Sequence, residues 1–429
     1  MSAGFRTDYS SAFGTGSKPF TFPRGDAYLR ISEIFNLKQL SEFKLRAAYG
    51  KAGIQPGAYD RFIVLNSGNI GSGGYLAVQA GANNPELNVE VSEEFEVGTD
   101  ISFKVGKTVL SSVKLSATYW KKRSDDVIRA LSVAPSTGAL DFLTNALSLK
   151  SDGFQLSLDA NIVKKKNFDW DFGIRFGKSK SIVDKIANGK EIAIGSGGSG
   201  EFVLKEGVSV GAFFGLRPLR NVDESNGKGQ RYIPVASVGN YEIVNGYVVN
   251  KNTKQVEFTT DKEQIGDPNP DFNMTFLNNF TIGKKIGISF QLDWVYGNQI
   301  YNQTRQWLYA DFLSEDFDVP VTIGGVSKPY VNYYNSLYKV NGTNSHFVED
   351  GSFLRMRDIT FSHSLDVSSL KYFKEFKIAF SARNLFTITK YSGMDPEASA
   401  SFNNPIRRGV DLYSFPNFRT YQISLNLGF

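Results

Sequence analysis

The final nine residues, Tyr421 to Phe429, alternate without interruption. Tyr421, Ile423, Leu425, Leu427 and Phe429 are apolar or aromatic, and Gln422, Ser424, Asn426 and Gly428 lie between them. An extended chain turns successive side chains to opposite faces, so this segment has one oily face and one wet face. The pattern recurs upstream. Phe95, Val97, Thr99, Ile101, Phe103 and Val105 alternate with Glu94, Glu96, Gly98, Asp100, Ser102 and Lys104. Phe154 to Ile162, Trp170 to Phe176 and Ile288 to Tyr296 repeat it. Each segment is near the roughly 9–11 residues that a tilted strand needs to cross hydrocarbon. A soluble sandwich also alternates, but seldom repeats such long strands so regularly. The predicted fold class is all-β, a transmembrane antiparallel β-barrel with apolar rows to lipid and polar rows to the lumen.

The alternation predicts twelve strands, at about 2–10, 20–32, 42–52, 92–105, 110–122, 152–163, 168–180, 271–283, 286–300, 351–365, 375–386 and 419–429. After the first pair, short and long connections take turns. The short ones are Phe35–Ser41, Gly106–Lys107, Lys164–Asn167, Gly283–Lys285 and Asp366–Lys374; the long ones are about 53–91, 123–151, 181–270, 301–350 and 387–418. Short turns on one side and long loops on the other are the rhythm of an outer-membrane barrel, with turns periplasmic and loops extracellular.

Composition removes the rivals. A mean hydropathy of -0.25 is too polar for a bundle of membrane helices, and no run of about 18 apolar residues exists to cross as one. The 35 Phe and 20 Tyr suit a wall whose rings gather at two membrane interfaces. With no cysteine there is neither a disulfide framework nor a thiolate metal site. A net charge of +5 spread over 429 residues leaves no nucleic-acid footprint. The start, Met1 to Arg6, lacks the basic, apolar and small-residue segments of a secretory signal, which leads us to expect that the protein's true beginning lies upstream.

Several blocks resemble those of SusC/RagA-type TonB-dependent outer-membrane transporters. The first is Lys44 to Gln55, KLRAAYGKAGIQ. Ile265 to Phe272 (IGDPNPDF), Val295 to Asn298 (VYGN), Asp350 to Thr360 (DGSFLRMRDIT) and Arg383 to Glu397 (RNLFTITKYSGMDPE) follow in the family's order. The resemblance spans nearly the whole chain. It implies import of glycan or peptide fragments through a large plugged barrel, capped by a SusD-like lipoprotein lid and energised by TonB. It also implies delivery by the barrel assembly machinery, with no enzymatic activity and no cofactor. Plugged transporters have about 22 strands. Residues 1–429 therefore read as the C-terminal barrel portion, with plug and N-terminal strands absent. An open sheet would leave two edges in lipid, which a bilayer does not tolerate. The alternative is a self-contained twelve-stranded outer-membrane pore or envelope enzyme.

No motif carries bond-breaking chemistry. His363, on strand 351–365, reads as a replacement for an interfacial aromatic residue, and His346, in a long loop, as a solvated side chain. Gly195 to Gly200 reads as a flexible loop tip, since no Lys-Ser/Thr follows it. Asp223 to Gly229 has the wrong spacing for a calcium loop. Lys164–Lys166 and Lys284–Lys285 read as solvated turn residues. The binding candidates are loop aromatics: Trp307, Tyr309, Tyr333, Tyr334 and Tyr338 (with Tyr330) in one loop, and Phe402 and Tyr413 (with Phe415) in the last. Such rings stack on sugars and pack against peptides; equally, loops of this length need a core of their own.

Three structural expectations follow. Phe95, Val97, Ile101 and Phe103 should face lipid with the Tyr421–Phe429 row, while Asp100, Asp159, Arg175 and Asp293 face the lumen. In strand 351–365, Leu354 and Met356 are out of phase with Ile359 and Phe361, which a bulge near Asp358 would explain. Tyr421, Ile423, Leu425, Leu427 and Phe429 form the candidate assembly signal, on a strand with a neighbour on one side only.

Overall fold

In the computed structural model the chain is described except at residues 11–18, 36–39, 63, 79–80, 135, 137–140, 195–200, 339–341, 368–371, 373, 398 and 401–407. Twelve strands form the wall: β1 (Ser2–Asp8), β2 (Phe20–Arg30), β3 (Leu40–Ile54), β4 (Glu90–Phe103), β5 (Val109–Ser132), β6 (Asp141–Lys165), β7 (Phe168–Ile186), β8 (Phe272–Ile282), β9 (Ile286–Tyr296), β10 (Phe353–Leu365), β11 (Glu375–Arg383) and β12 (Thr420–Gly428). They pair in chain order, each antiparallel to the next. The meander is the one the alternation predicts. Among the described residues β1 has only β2 as a wall neighbour, and β12 only β11.

The two faces separate as expected. Phe95, Val97, Tyr421, Ile423, Leu425 and Leu427 are exposed, with Leu425 at 63%. In a soluble protein an unbroken run of exposed large apolar side chains would be anomalous; on a barrel wall it is the lipid face. Aromatic residues cross-link it, with Phe272 stacked on Tyr296 and Trp170 on Phe280.

Two details depart from the sequence reading. β5, β6 and β7 run far beyond 122, 152 and 180, so most of the expected loop 123–151 is hairpin. Beyond the hydrocarbon the outward face no longer has to be apolar, so the alternation fades while the ladder continues. There Val127, Ala146, Leu147, Val183 and Ile186 form a buried cluster instead. On β6, Ile162 is not a lipid-row member in phase with Ala160: Trp170 pairs with Val163 and Asp171 with Asn161, so a bulge lies at Ile162.

The bulge expected near Asp358 is present. Gln291 pairs with Asp358 but Leu292 pairs with Met356, leaving Arg357 as the extra residue. It keeps Met356 and Ile359 on the lipid face and turns both Arg355 and Arg357 toward the polar side.

Candidate transport lumen and extracellular cap

The wet faces join into a belt. Cross-strand registers place Lys44, Asp100, Ser116, Ser157, Arg175, Thr275, Asp293 and Arg355 directly opposite one another through eight consecutive strands. Opposite charges meet along it. Lys44 lies 3.1 Å and Arg46 3.4 Å from Asp100, which also accepts from the Ser116 hydroxyl at 2.7 Å. Arg46 donates to Thr118 by lying across Gly98, where a Cβ would come within 2.8 Å of its guanidinium carbon. Arg175 contacts Asp159 at 2.6 Å. All four residues expected in the lumen thus lie on this face. Farther along it is a cleft of about 630 Å³, bordered by Gln291, Asp358, Arg383, Asn384 and Gln422.

At the β10 end the belt is locked to the last loop. Arg355, 2% exposed, donates from Nη2 to Asp395 Oδ1 at 2.5 Å and from Nη1 to Glu397. Arg357 donates to Asp293 at 2.7 Å and to Glu397 at 2.6 Å. Because this loop folds onto the polar face, that face is the interior. Burial pushes the Asp395 carboxyl up. The hydrogen bond and charge of Arg355, with the backbone amides of Glu397 and Asn417, outweigh this and hold it below its ordinary value.

The sequence blocks converge just above. Asp271 N donates to Tyr296 O, Gln299 N to Asp267 O, Gly351 N to Asn298 O and Gly297 N to Ser352 Oγ. Thr389 Oγ1 closes onto Ser352 O. Gly297 has φ +86, and a Cβ there would lie 2.4 Å from Asp271 Oδ2. Segments more than a hundred residues apart in sequence therefore build one junction where the wall turns into the cap.

The cap packs around Phe202, Phe213, Tyr301, Tyr309, Tyr333, Tyr334, Leu337 and Phe347. Gln303–Ala310 and Val331–Tyr338 are its two eight-residue helices. Tyr309, Tyr333, Tyr334 and Tyr330 are buried; the Tyr309 hydroxyl donates to Asp316 at 2.6 Å, and Arg305 contacts Asp316 at 2.8 Å. Trp307 and Tyr338 are half-buried with rings 6.1 Å apart, and Tyr413 is exposed. Phe402 lies outside the described residues, as do Gly195 to Gly200. His363 is exposed on the outward row with Phe361 and Leu365.

His346 is not the solvated side chain expected. Its Nδ1 is 3.2 Å from Tyr247 Oη and its Nε2 3.4 Å from Tyr309 Oη, with the Phe347 ring 4.9 Å away. Burial, with the charge of Arg305 adding to it, lowers its pKa to about 3, against the opposing pull of Asp316. A single histidine in a loop gives no sequence signal for such packing. The Arg355–Asp395 contact did have one: the fourth and fifth blocks, Asp350 to Thr360 and Arg383 to Glu397, carry complementary charges.

No family model matches the chain. It is 25% identical over 448 residues to TonB-dependent receptor P3 of Formosa agariphila, covering 99% of this chain and 43% of that protein. The chain is similar from end to end to TonB-dependent receptors. With TonB-dependent receptor SusC of Bacteroides thetaiotaomicron the identity is 25% over 458 residues, covering 99% of the chain and 41% of SusC. The chain thus spans a little under half the length of the curated relatives it matches. The RagAB peptide importer in its closed-closed state superposes with a TM-score of 0.73 at 17% identity, covering 99% of this chain and 45% of that one; this likeness is one of fold. The outer membrane, where such receptors reside, is the place of this wall.

Proposed function

We propose that residues 1–429 are the C-terminal part of a larger outer-membrane importer barrel that takes up glycan or peptide fragments. A SusD-like lid and TonB are its partners. The observation carrying this reading is a wall with an apolar outer face, a charged inner belt and a folded cap at one end. The outer edges of β1 and β12, each with one wall neighbour, favour completion by further strands over a closed twelve-stranded pore. The reading assigns no catalytic step to the chain: its ionic groups are paired with one another along the belt, and His346 is held neutral in the cap core. Tyr413, Phe415, Trp307 and Tyr338 are the aromatic candidates that still offer ring surface to a solute. The β12 row ending in Phe429 is the proposed mark for the assembly machinery.

Uptake of labelled oligosaccharides and peptides by cells with and without the native gene tests this. The reading expects uptake that needs the gene and stops when the proton-motive force behind TonB is collapsed. Uptake that survives collapse would favour a passive pore.

A further inference from the structure

The outward face of β3 to β7 changes character at one depth. From Val109 to Tyr119 on β5 is about 33 Å of strand and, at a tilt near 40°, about 25 Å of membrane depth, the height of an outer-membrane apolar band. Tyr119 sits at the upper edge with Phe154 opposite it, and Tyr49 pairs with Phe95 one step beyond. Past these rings the same face carries charge. Lys121 pairs with Phe95 and Asp152, and Asp152 with Lys180. Here lies a cleft of about 530 Å³, with Tyr49, Phe95 and Ile182 on its apolar side, Lys121, Lys150 and Lys180 among its cations, and Glu93 and Asp152 among its carboxylates.

The cations are not all used internally. Lys150 contacts Asp184 at 2.6 Å, and Lys51 contacts Glu93 at 3.0 Å. Among the described residues no carboxylate oxygen lies within 4.0 Å of Lys121, Lys178 or Lys180. Lys121, whose ammonium lies 5.8 Å from the centre of the Tyr119 ring, and Lys180 thus line the cleft without a carboxylate partner, and Lys178, opposite Phe154, lies beside it at the rim of the apolar band on the lipid-facing side. At that depth the neighbouring matter is the headgroup layer of the leaflet on the long-loop side.

We propose that this cleft binds the phosphorylated sugar headgroup of an outer-leaflet glycolipid. Lys121 and Lys180 take the phosphates, the Asp152 carboxylate between them accepts from sugar hydroxyls, and the first acyl carbons lie over Phe95 and Tyr119. The inference rests on the outer-membrane barrel reading above. Each lysine at an anionic surface is worth about fivefold in affinity, so loss of three weakens binding about 10²-fold.

The test uses the native protein extracted from outer membranes, delipidated and presented with phosphatidylcholine vesicles doped with bis-phosphorylated lipid A. Parallel vesicles carry dephosphorylated lipid A or phosphatidylglycerol at equal charge density, and inorganic pyrophosphate serves as competitor. The comparison is wild type against K121Q/K178Q/K180Q and against the corresponding triple arginine variant, each checked for the heat-modifiable migration of a folded barrel. The expected result is retention of bis-phosphorylated lipid A that drops about 10²-fold in the glutamine variant, holds in the arginine variant and resists pyrophosphate. Equal retention by the glutamine variant overturns the site. Equal binding of phosphatidylglycerol, or displacement by pyrophosphate, overturns the glycolipid assignment in favour of unspecific charge or a free phosphate. Absence of the wild-type protein from the outer membrane would instead refute the barrel reading.

Discussion

Replacing Arg355 by Met should release the last loop from the wall, and by an amount the geometry sets. The Arg355 and Asp395 side chains are 3% and 5% exposed and lie 2.5 Å apart. Removing the guanidinium strands a buried carboxylate whose other partners are two backbone amides, at 2.9 Å and 2.8 Å. Breaking a buried pair from one side costs about 3–5 kcal/mol. Arg357 still holds Glu397, so the loss should be local, appearing as roughly 10²–10⁴-fold faster hydrogen exchange at the amides of Glu397 and Asn417. The pH dependence supplies a second check. In the wild type the Asp395 pKa is depressed, so its contribution is present above the unfolded carboxylate pKa and fades as pH falls through the lower folded value. In R355M the guanidinium no longer opposes burial, only the two backbone amides do, and the pKa rises, so acidification should relieve the defect. R355M/D395N should recover most of the protection. Unchanged exchange in R355M, or a defect independent of pH, would refute the assignment of the loop's attachment to this pair.

Leu425→Arg, on the lipid face of β12, should cost about 2–4 kcal/mol of barrel stability in bilayers, measured by urea unfolding; no change would place that face away from lipid. Gly297→Ala should destabilise the junction, because φ is +86 and the new methyl meets Asp271, and it should show as protease cleavage near the β8–β9 ends at lower denaturant. The cap should loosen in acid. A His346 pKa near 3, against about 6.5 unfolded, means that stability present above pH 6.5 is lost as pH falls toward 3, by up to about 2 kcal/mol at pH 5. His346→Gln should flatten that pH dependence in exchange measurements on the cap. Deleting Phe429 should lower outer-membrane levels without altering synthesis, as immunoblots of membrane fractions would report.

The wall was legible because lipid imposes a rule that reaches every second residue. Even the irregular strand was readable: the phase slip between Met356 and Ile359 located the bulge, which falls at Arg357. Where lipid stops, the rule stops, and so the upper halves of β5, β6 and β7 looked like loop. The cap obeys no period. Its aromatic residues announced themselves by number, but nothing in the order of Tyr309, Tyr333 and Tyr334 distinguishes rings that pack from rings that bind. His346 was misread for the same reason, since its burial comes from Tyr247 and Tyr309, 99 and 37 residues away.

The sequence has no cysteine, so a cysteine scan of β4, Glu90 to Phe103, needs no background substitutions. Each single-cysteine protein, spin-labelled in the native outer membrane, reports exposure to lipid-soluble oxygen and to a water-soluble nickel chelate. A period of two is expected, with Phe95, Val97, Ile101 and Phe103 oxygen-accessible and Glu94, Glu96, Gly98 and Asp100 chelate-accessible. Uniform accessibility along the strand, or the same period with the two faces exchanged, would contradict it.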